Sequence, residues 1–210
     1  MMGSIYDDSL AECYESACAK YNDFDIVFER EASGTKIEYG VIHGGVDTVF
    51  IKAGRGGTCR GQGDKYLRFA AFLREKYGVG VICSSNPESC RNSAEEDASA
   101  ARELSRGKVY FLGSSEGAFK GIALAEAMDI EKALLINMPL MINFYKNKER
   151  LKSLVRTRFA FAFGERDPSF KYMPFLASLP GAELITLEGT GHTVAFTPEE
   201  CALFAKMLLE

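Results

Sequence analysis

From Lys52 onward, short apolar runs alternate with segments of helical period, and this rhythm constrains the fold more than any other feature of the chain. The runs are residues 79–83, 109–112, 133–136, 159–163 and 183–187. Between them, Tyr66, Phe69, Ala70, Leu73 and Tyr77 share one helical face, with Asp64 placed as cap and Gly78 as terminator. Ser93 and Glu96 have capping-box spacing for a helix through Leu104, and residues 115–128 predict another. Thr197-Pro198-Glu199-Glu200 opens a last helix with a capping box and a proline in its first turn. Strands alternating with helices pack as a mostly parallel sheet covered on both faces. Upstream, residues 25–29, 35–42 and 48–52 read as strands. Ala32-Ser33-Gly34 and His43-Gly44-Gly45 look like hairpin turns, which gives the sheet an antiparallel start. A loose helical pattern over 4–20 marks residues 1–23 as an N-terminal extension. No repeat or linker interrupts the chain, so one domain over 1–210 is expected.

Composition narrows the function. The chain has 210 residues, 47% hydrophobic and 26% charged, the balance of a globular protein with a sizeable core. No apolar run approaches the ~18–20 residues needed to cross a bilayer. The first residues lack a basic segment followed by an apolar one, so a cytoplasmic location is expected. A net charge of −4 removes the electrostatic case for nucleic acid or an anionic membrane as partner. The six cysteines read as reduced thiols rather than a disulfide framework. With no Cys-x2-Cys pair and only His43 and His192 to offer imidazole, no metal is expected.

Three short motifs carry chemistry. Gly113-Ser114-Ser115-Glu116-Gly117 is a Gly-x-Ser-x-Gly set between an apolar strand and a helical pattern. Its glycines suit a sharp reversal that lifts the Ser115 hydroxyl clear and aims the Glu116 amide at a developing oxyanion. The same residues also read as a tight turn with serines capping a helix. Asp167 follows the strand 159–163 in Gly164-Glu165-Arg166-Asp167-Pro168. It suits either a helix cap or a carboxylate that orients an imidazole. His192 lies in the glycine-flanked loop Gly189-Thr190-Gly191-His192 after the strand 183–187, where it is either a surface histidine or a base. The order Ser, Asp, His, each after a strand, places all three at the carboxyl edge of a parallel sheet, where reactive groups collect.

On these motifs the chain resembles the α/β-hydrolase superfamily over roughly residues 35–210. The resemblance implies a three-layer α/β sandwich and a serine hydrolase without cofactor. It makes Ser115 the nucleophile, His192 the base and Asp167 the orienting acid. One oxyanion donor would be the Glu116 amide; the other would come from the loop after the strand 48–52, where Arg55 is expected and Gly56 is the second choice. Many relatives carry His-Gly there; this chain has Ala53-Gly54. His43-Gly44-Gly45 imitates that motif but is followed at once by another strand, so it is assigned to a turn. Neither nucleotide-binding pattern survives in residues 54–63. No Lys-Ser/Thr follows Gly61, and Cys59 stands where the third glycine of a dinucleotide fingerprint belongs.

The expected substrate is a small carboxylic ester or thioester. The span 137–157 has room for one short helix, so the cleft is expected to be open. Arg60 is a candidate contact for an acidic group on the substrate, and Met138 and Met141 are candidates for an acyl pocket. Two other readings stay open: an acyltransferase with the same three residues, and a non-catalytic binding protein on the same fold.

Overall fold

The computed structural model describes residues 8–210. The strands are β1 (Ile26–Ala32), β2 (Thr35–Ile42), β3 (Thr48–Lys52), β4 (Gly80–Ser84), β5 (Val109–Ser114), β6 (Lys132–Ile136), β7 (Arg158–Gly164) and β8 (Glu183–Leu187). The helices are α1 (Asp8–Lys20), α2 (Lys65–Tyr77), α3 (Ala94–Leu104), α4 (Glu116–Ala127), α5 (Phe144–Ser153), α6 (Met173–Leu176) and α7 (Pro198–Leu209). All eight strands join one sheet in the order β1-β2-β4-β3-β5-β6-β7-β8. β2 is antiparallel to both of its neighbours, and every pairing from β4 to β8 is parallel.

The central strands β3 to β6 are buried along their whole length, which is why they read as continuous apolar runs rather than alternating ones. Val49, Ile51, Leu112 and Leu134 pack with Tyr14, Phe69, Phe72 and Phe204 under α1, α2 and α7. On the opposite face Phe50, Phe111, Leu135 and Phe161 meet Ala98, Ala118, Ile122 and Leu151 of α3, α4 and α5. A Cβ at Gly121 would stand 2.2 Å from the Phe111 ring, so the small residues of α4 set how closely it approaches β5.

Local expectations met the fold unevenly. Ser33 and Gly34 close a two-residue hairpin between β1 and β2, both with positive φ (51° and 79°), as a primed turn requires. His43-Gly44-Gly45 does not make a hairpin. β4 inserts between the strands it joins, and the turn lies at the sheet edge from which β3 and β4 start. The capping box at Thr197 and Glu200 forms in both directions, and Gly78 ends α2 in the left-handed conformation. Neither the Asp64 nor the Ser93 side chain accepts a capping bond from its helix. The Asp64 carboxylate pairs with Arg60, and the Ser93 hydroxyl donates to Asp97. Side chains with a stronger partner elsewhere leave the helix end. The span 137–157 holds α5 and little else. The expected helix start at Ser4, and the first residues that argue against a signal sequence, lie outside the described residues. Among the described residues no helix is long and apolar enough to cross a membrane.

Candidate active site

Ser115 is the single residue between the end of β5 and the start of α4, with φ 55° and ψ −123°. A non-glycine residue in that region carries about 1–3 kcal/mol of strain and persists only where its surroundings hold it. Here the Ser115 amide donates to the Ile136 carbonyl at 2.8 Å, and its carbonyl accepts from Ala118 at 3.0 Å. The flanking glycines have a steric cause. A Cβ at Gly113 would lie 2.5 Å from the Gly117 carbonyl oxygen, and one at Gly117 would lie 2.4 Å from those of Lys52 and Ala53. The pattern Gly-x-Ser-x-Gly therefore records where the backbone of this turn touches its neighbours.

The three residues picked from the sequence come together at this turn. His192 Nε2 is 2.7 Å from Ser115 Oγ, and its Nδ1 is 2.5 Å from Asp167 Oδ2. The carboxylate can only accept from Nδ1, so that nitrogen carries the proton and Nε2 is left to accept from the serine hydroxyl. Asp167 Oδ1 accepts from the Ser169 amide at 2.7 Å, so one oxygen builds the turn and the other faces the imidazole. The side chain of Asp167 is 1% exposed and that of His192 is 49% exposed. The acid is dry, while the imidazole reaches the cleft.

A fourth residue, invisible in the sequence reading, ties these loops together. Asn137 follows β6 with φ 47° and is fully buried. Its Nδ2 donates to the carbonyls of Gly191 (3.0 Å) and His192 (2.8 Å), and its Oδ1 accepts from the Gly164 amide at 2.8 Å. One amide side chain thus joins the loop of the histidine to the strand end that leads to Asp167. An asparagine after a strand looks like a turn residue; its three partners are remote in sequence, and no local pattern announces them. Asn137→Ala is expected to cost about 1–3 kcal/mol, because the Gly164 N–H is left buried without an acceptor. Urea unfolding checks that figure, and an unchanged midpoint would show that the clamp carries no weight.

Ser115 and His192 open onto a cleft of about 380 Å³ lined also by Gly54, Arg55, Gly57, Gln62, Lys65, Tyr66 and Thr193. The loop after β3 is fixed by the segment that follows β4 and by its own turn: Gly56 donates its amide to the Asn86 carbonyl at 2.8 Å, and Gly57 to Gly54 at 2.9 Å. Gly56 is therefore occupied. Among the described residues, the amides of Arg55 and Glu116 have no acceptor. Other residues singled out from the sequence lie elsewhere. Arg60 is held by Asp23 and Asp64 and does not line the cleft. Met138 is fully buried in the core on the α3–α4 face of the sheet, and Met141 is 48% exposed on the surface; neither lines the cleft. His43 borders a groove with Gly80 and Thr48, at the sheet edge opposite Ser115.

No family model and no curated protein sequence matches the chain. Solved structures do. Est1E from Butyrivibrio proteoclasticus superposes with a TM-score of 0.65 at 13% identity, over 86% of this chain and 96% of that one. The carboxylesterase CesB (YbfK) from Bacillus subtilis gives 0.64 at 12% identity, over 96% and 97%. A thioesterase domain from the curacin biosynthetic pathway gives 0.61 at 14%, over 87% and 99%. The chain has the α/β-hydrolase fold. In an α/β-hydrolase fold the carboxyl edge of the parallel strands is where βα loops gather. Ser115, Asp167 and His192 each follow the end of such a strand: β5, β7 and β8.

Proposed function

We propose that this protein is a serine hydrolase that cleaves a small carboxylic ester or thioester through an acyl-enzyme on Ser115. The observation that carries the reading is the unbroken chain from Asp167 through His192 to Ser115, at 2.5 and 2.7 Å. His192 Nε2 takes the hydroxyl proton as Ser115 Oγ attacks the acyl carbonyl. Charge gathers on the carbonyl oxygen, which the amides of Glu116 and Arg55 meet. One such donor is worth ~3–4 kcal/mol. As the tetrahedral species collapses, the imidazolium returns its proton to the departing alcohol or thiol, and the acyl group stays on Ser115. Water, deprotonated by His192, then attacks the acyl-enzyme. The acid leaves and Ser115 regains its proton.

The dry Asp167 carboxylate holds the ring in the tautomer this sequence of transfers needs and stabilises the imidazolium between them. The absence of a large insertion between β6 and β7 leaves the cleft accessible, which suits small, soluble acyl substrates. The thioesterase domain and the carboxylesterase among the structures of like fold are consistent with this class. A fluorophosphonate probe tests it: the wild type is expected to be labelled once, on Ser115, and Ser115→Ala not at all. A well-folded wild type that resists the probe would return the protein to the non-catalytic reading. Activated esters assayed with and without added alcohols or amines separate hydrolysis from acyl transfer.

A further inference from the structure

Three cations stand between residues 55 and 65, and the fold treats each differently. Arg60 is neutralised: its guanidinium meets Asp23 at 2.6 Å and Asp64 at 2.8 Å. Arg55 is 65% exposed and has only a loose contact with Glu116 at 3.9 Å. Lys65, the first residue of α2, is half-buried in the wall of the cleft that holds Ser115 and His192. Its Nζ donates to the Val194 carbonyl at 3.0 Å and lies 5.2 Å from the ring centres of both Tyr66 and Phe196.

Burial pulls the Lys65 ammonium below the ordinary lysine value, and the Glu200 carboxylate opposes that at a distance. Glu200 is itself engaged in the cap of α7 and lies beyond ion-pair range. Among the described residues no carboxylate comes within 4.0 Å of Lys65 Nζ. An ammonium has three donors, and a single carbonyl satisfies one. A cation that has lost part of its hydration and has no counter-charge is poised to take an anion from outside.

We infer that Lys65 is a specificity residue of this cleft, binding a carboxylate carried by the substrate, so that preferred substrates are acyl esters or thioesters bearing an acidic group. The inference rests on the serine-hydrolase reading above. It replaces Arg60, whose charge is already matched, as the residue that selects an acidic substrate. Arg55, on the same lining, adds to the positive field without a fixed geometry.

Two pairs of esters test it, each matched in length. With the acid on the acyl side, 4-nitrophenyl hemiglutarate is compared with 4-nitrophenyl valerate. With the acid on the alcohol side, the butyryl ester of 4-hydroxybenzoate is compared with that of 4-hydroxybenzamide. Wild type is expected to favour the acidic member of one pair by roughly tenfold in kcat/KM, the value of a hydrogen bond to a charged group. In Lys65→Met that ratio is expected to fall to about one, while Lys65→Arg keeps most of it. Lys65→Gln, which retains a donor for Val194 but no charge, should behave like Lys65→Met. A merely structural lysine would lower both members alike and leave the ratio standing. A wild type that is labelled by fluorophosphonate yet favours neither acid, or a preference that survives Lys65→Met and Lys65→Gln, would overturn the inference alone. A wild type that is neither labelled nor active on any ester would overturn the hydrolase reading, and this inference with it.

Discussion

Alanine at Ser115, at His192 or at both positions is expected to produce the same loss, on the order of 10^6 in kcat. The reason lies in the 2.7 Å contact between them. A serine hydroxyl is a poor nucleophile until a base removes its proton, and a base beside an absent hydroxyl has nothing to activate. The second deletion therefore removes nothing that the first has left in place. The rate that survives comes from binding and the oxyanion amides, roughly 10^3–10^4 above water. Asp167→Asn should cost less, about 10^4. It removes no reacting atom, but its amide can donate to Nδ1 and so place the imidazole proton on Nε2, which then cannot accept from Ser115. The measurement is kcat on an activated ester for the three alanine variants and Asp167→Asn, each first shown to be folded. Losses that multiply in the double variant would mean that the two side chains act independently, and the mechanism above would fall.

The parts of this molecule written locally were legible in its sequence. The alternation of strands and helices reflects apolar periodicity within each segment, and the order of Ser115, Asp167 and His192 follows from strand ends that carry one small motif each. The Thr197–Glu200 cap was legible because its partners are three residues apart. Most of what failed was decided by a distant partner, and the Asp64 cap was lost to a near one, Arg60 four residues before it. The turn at His43 looks like a hairpin until β4 takes the place beside β2 and β3. Asp64 has a cap's position, but a guanidinium is a stronger partner than a backbone amide. Arg60 and Lys65 are both cations in a glycine-rich loop or at its end. Only the fold shows that Asp23, 37 residues upstream, neutralises the first, while the second lines the cleft with no carboxylate paired to it among the described residues.

Lys52 belongs to the same class, and its removal is expected to have the largest effect on stability. Its side chain, at the end of β3, is 1% exposed and bonds Asp97 at 2.9 Å and Ser84 at 2.8 Å. Asp97, 3% exposed on α3, also accepts from Tyr39, Ser84 and Ser93 at 2.8–3.0 Å. Burial draws the Lys52 ammonium below its ordinary value and Asp97 pulls the other way; a buried charge that loses its partner is costly. Lys52→Met is expected to cost about 3–5 kcal/mol, because it strands a buried carboxylate. In many buried pairs, replacing both partners with apolar groups restores what one replacement loses. Here Lys52→Met with Asp97→Leu should recover only part, since Tyr39 and Ser93 lose their acceptor, at about 1–3 kcal/mol for each hydroxyl left unsatisfied. Urea unfolding of the single and double variants measures both terms, with the m-value as a check that the transition remains two-state. A neutral Lys52→Met would show the pair to be a bystander. Full recovery in the double variant would show that the hydroxyls find other partners. The position of Lys52 links this stability to the site: its carbonyl abuts Gly117, and the loop of Arg55 starts at the next residue. The folded fraction of Lys52→Met should therefore react more slowly with fluorophosphonate than wild type, because the strand end that sets the height of the Arg55 amide has lost its anchor.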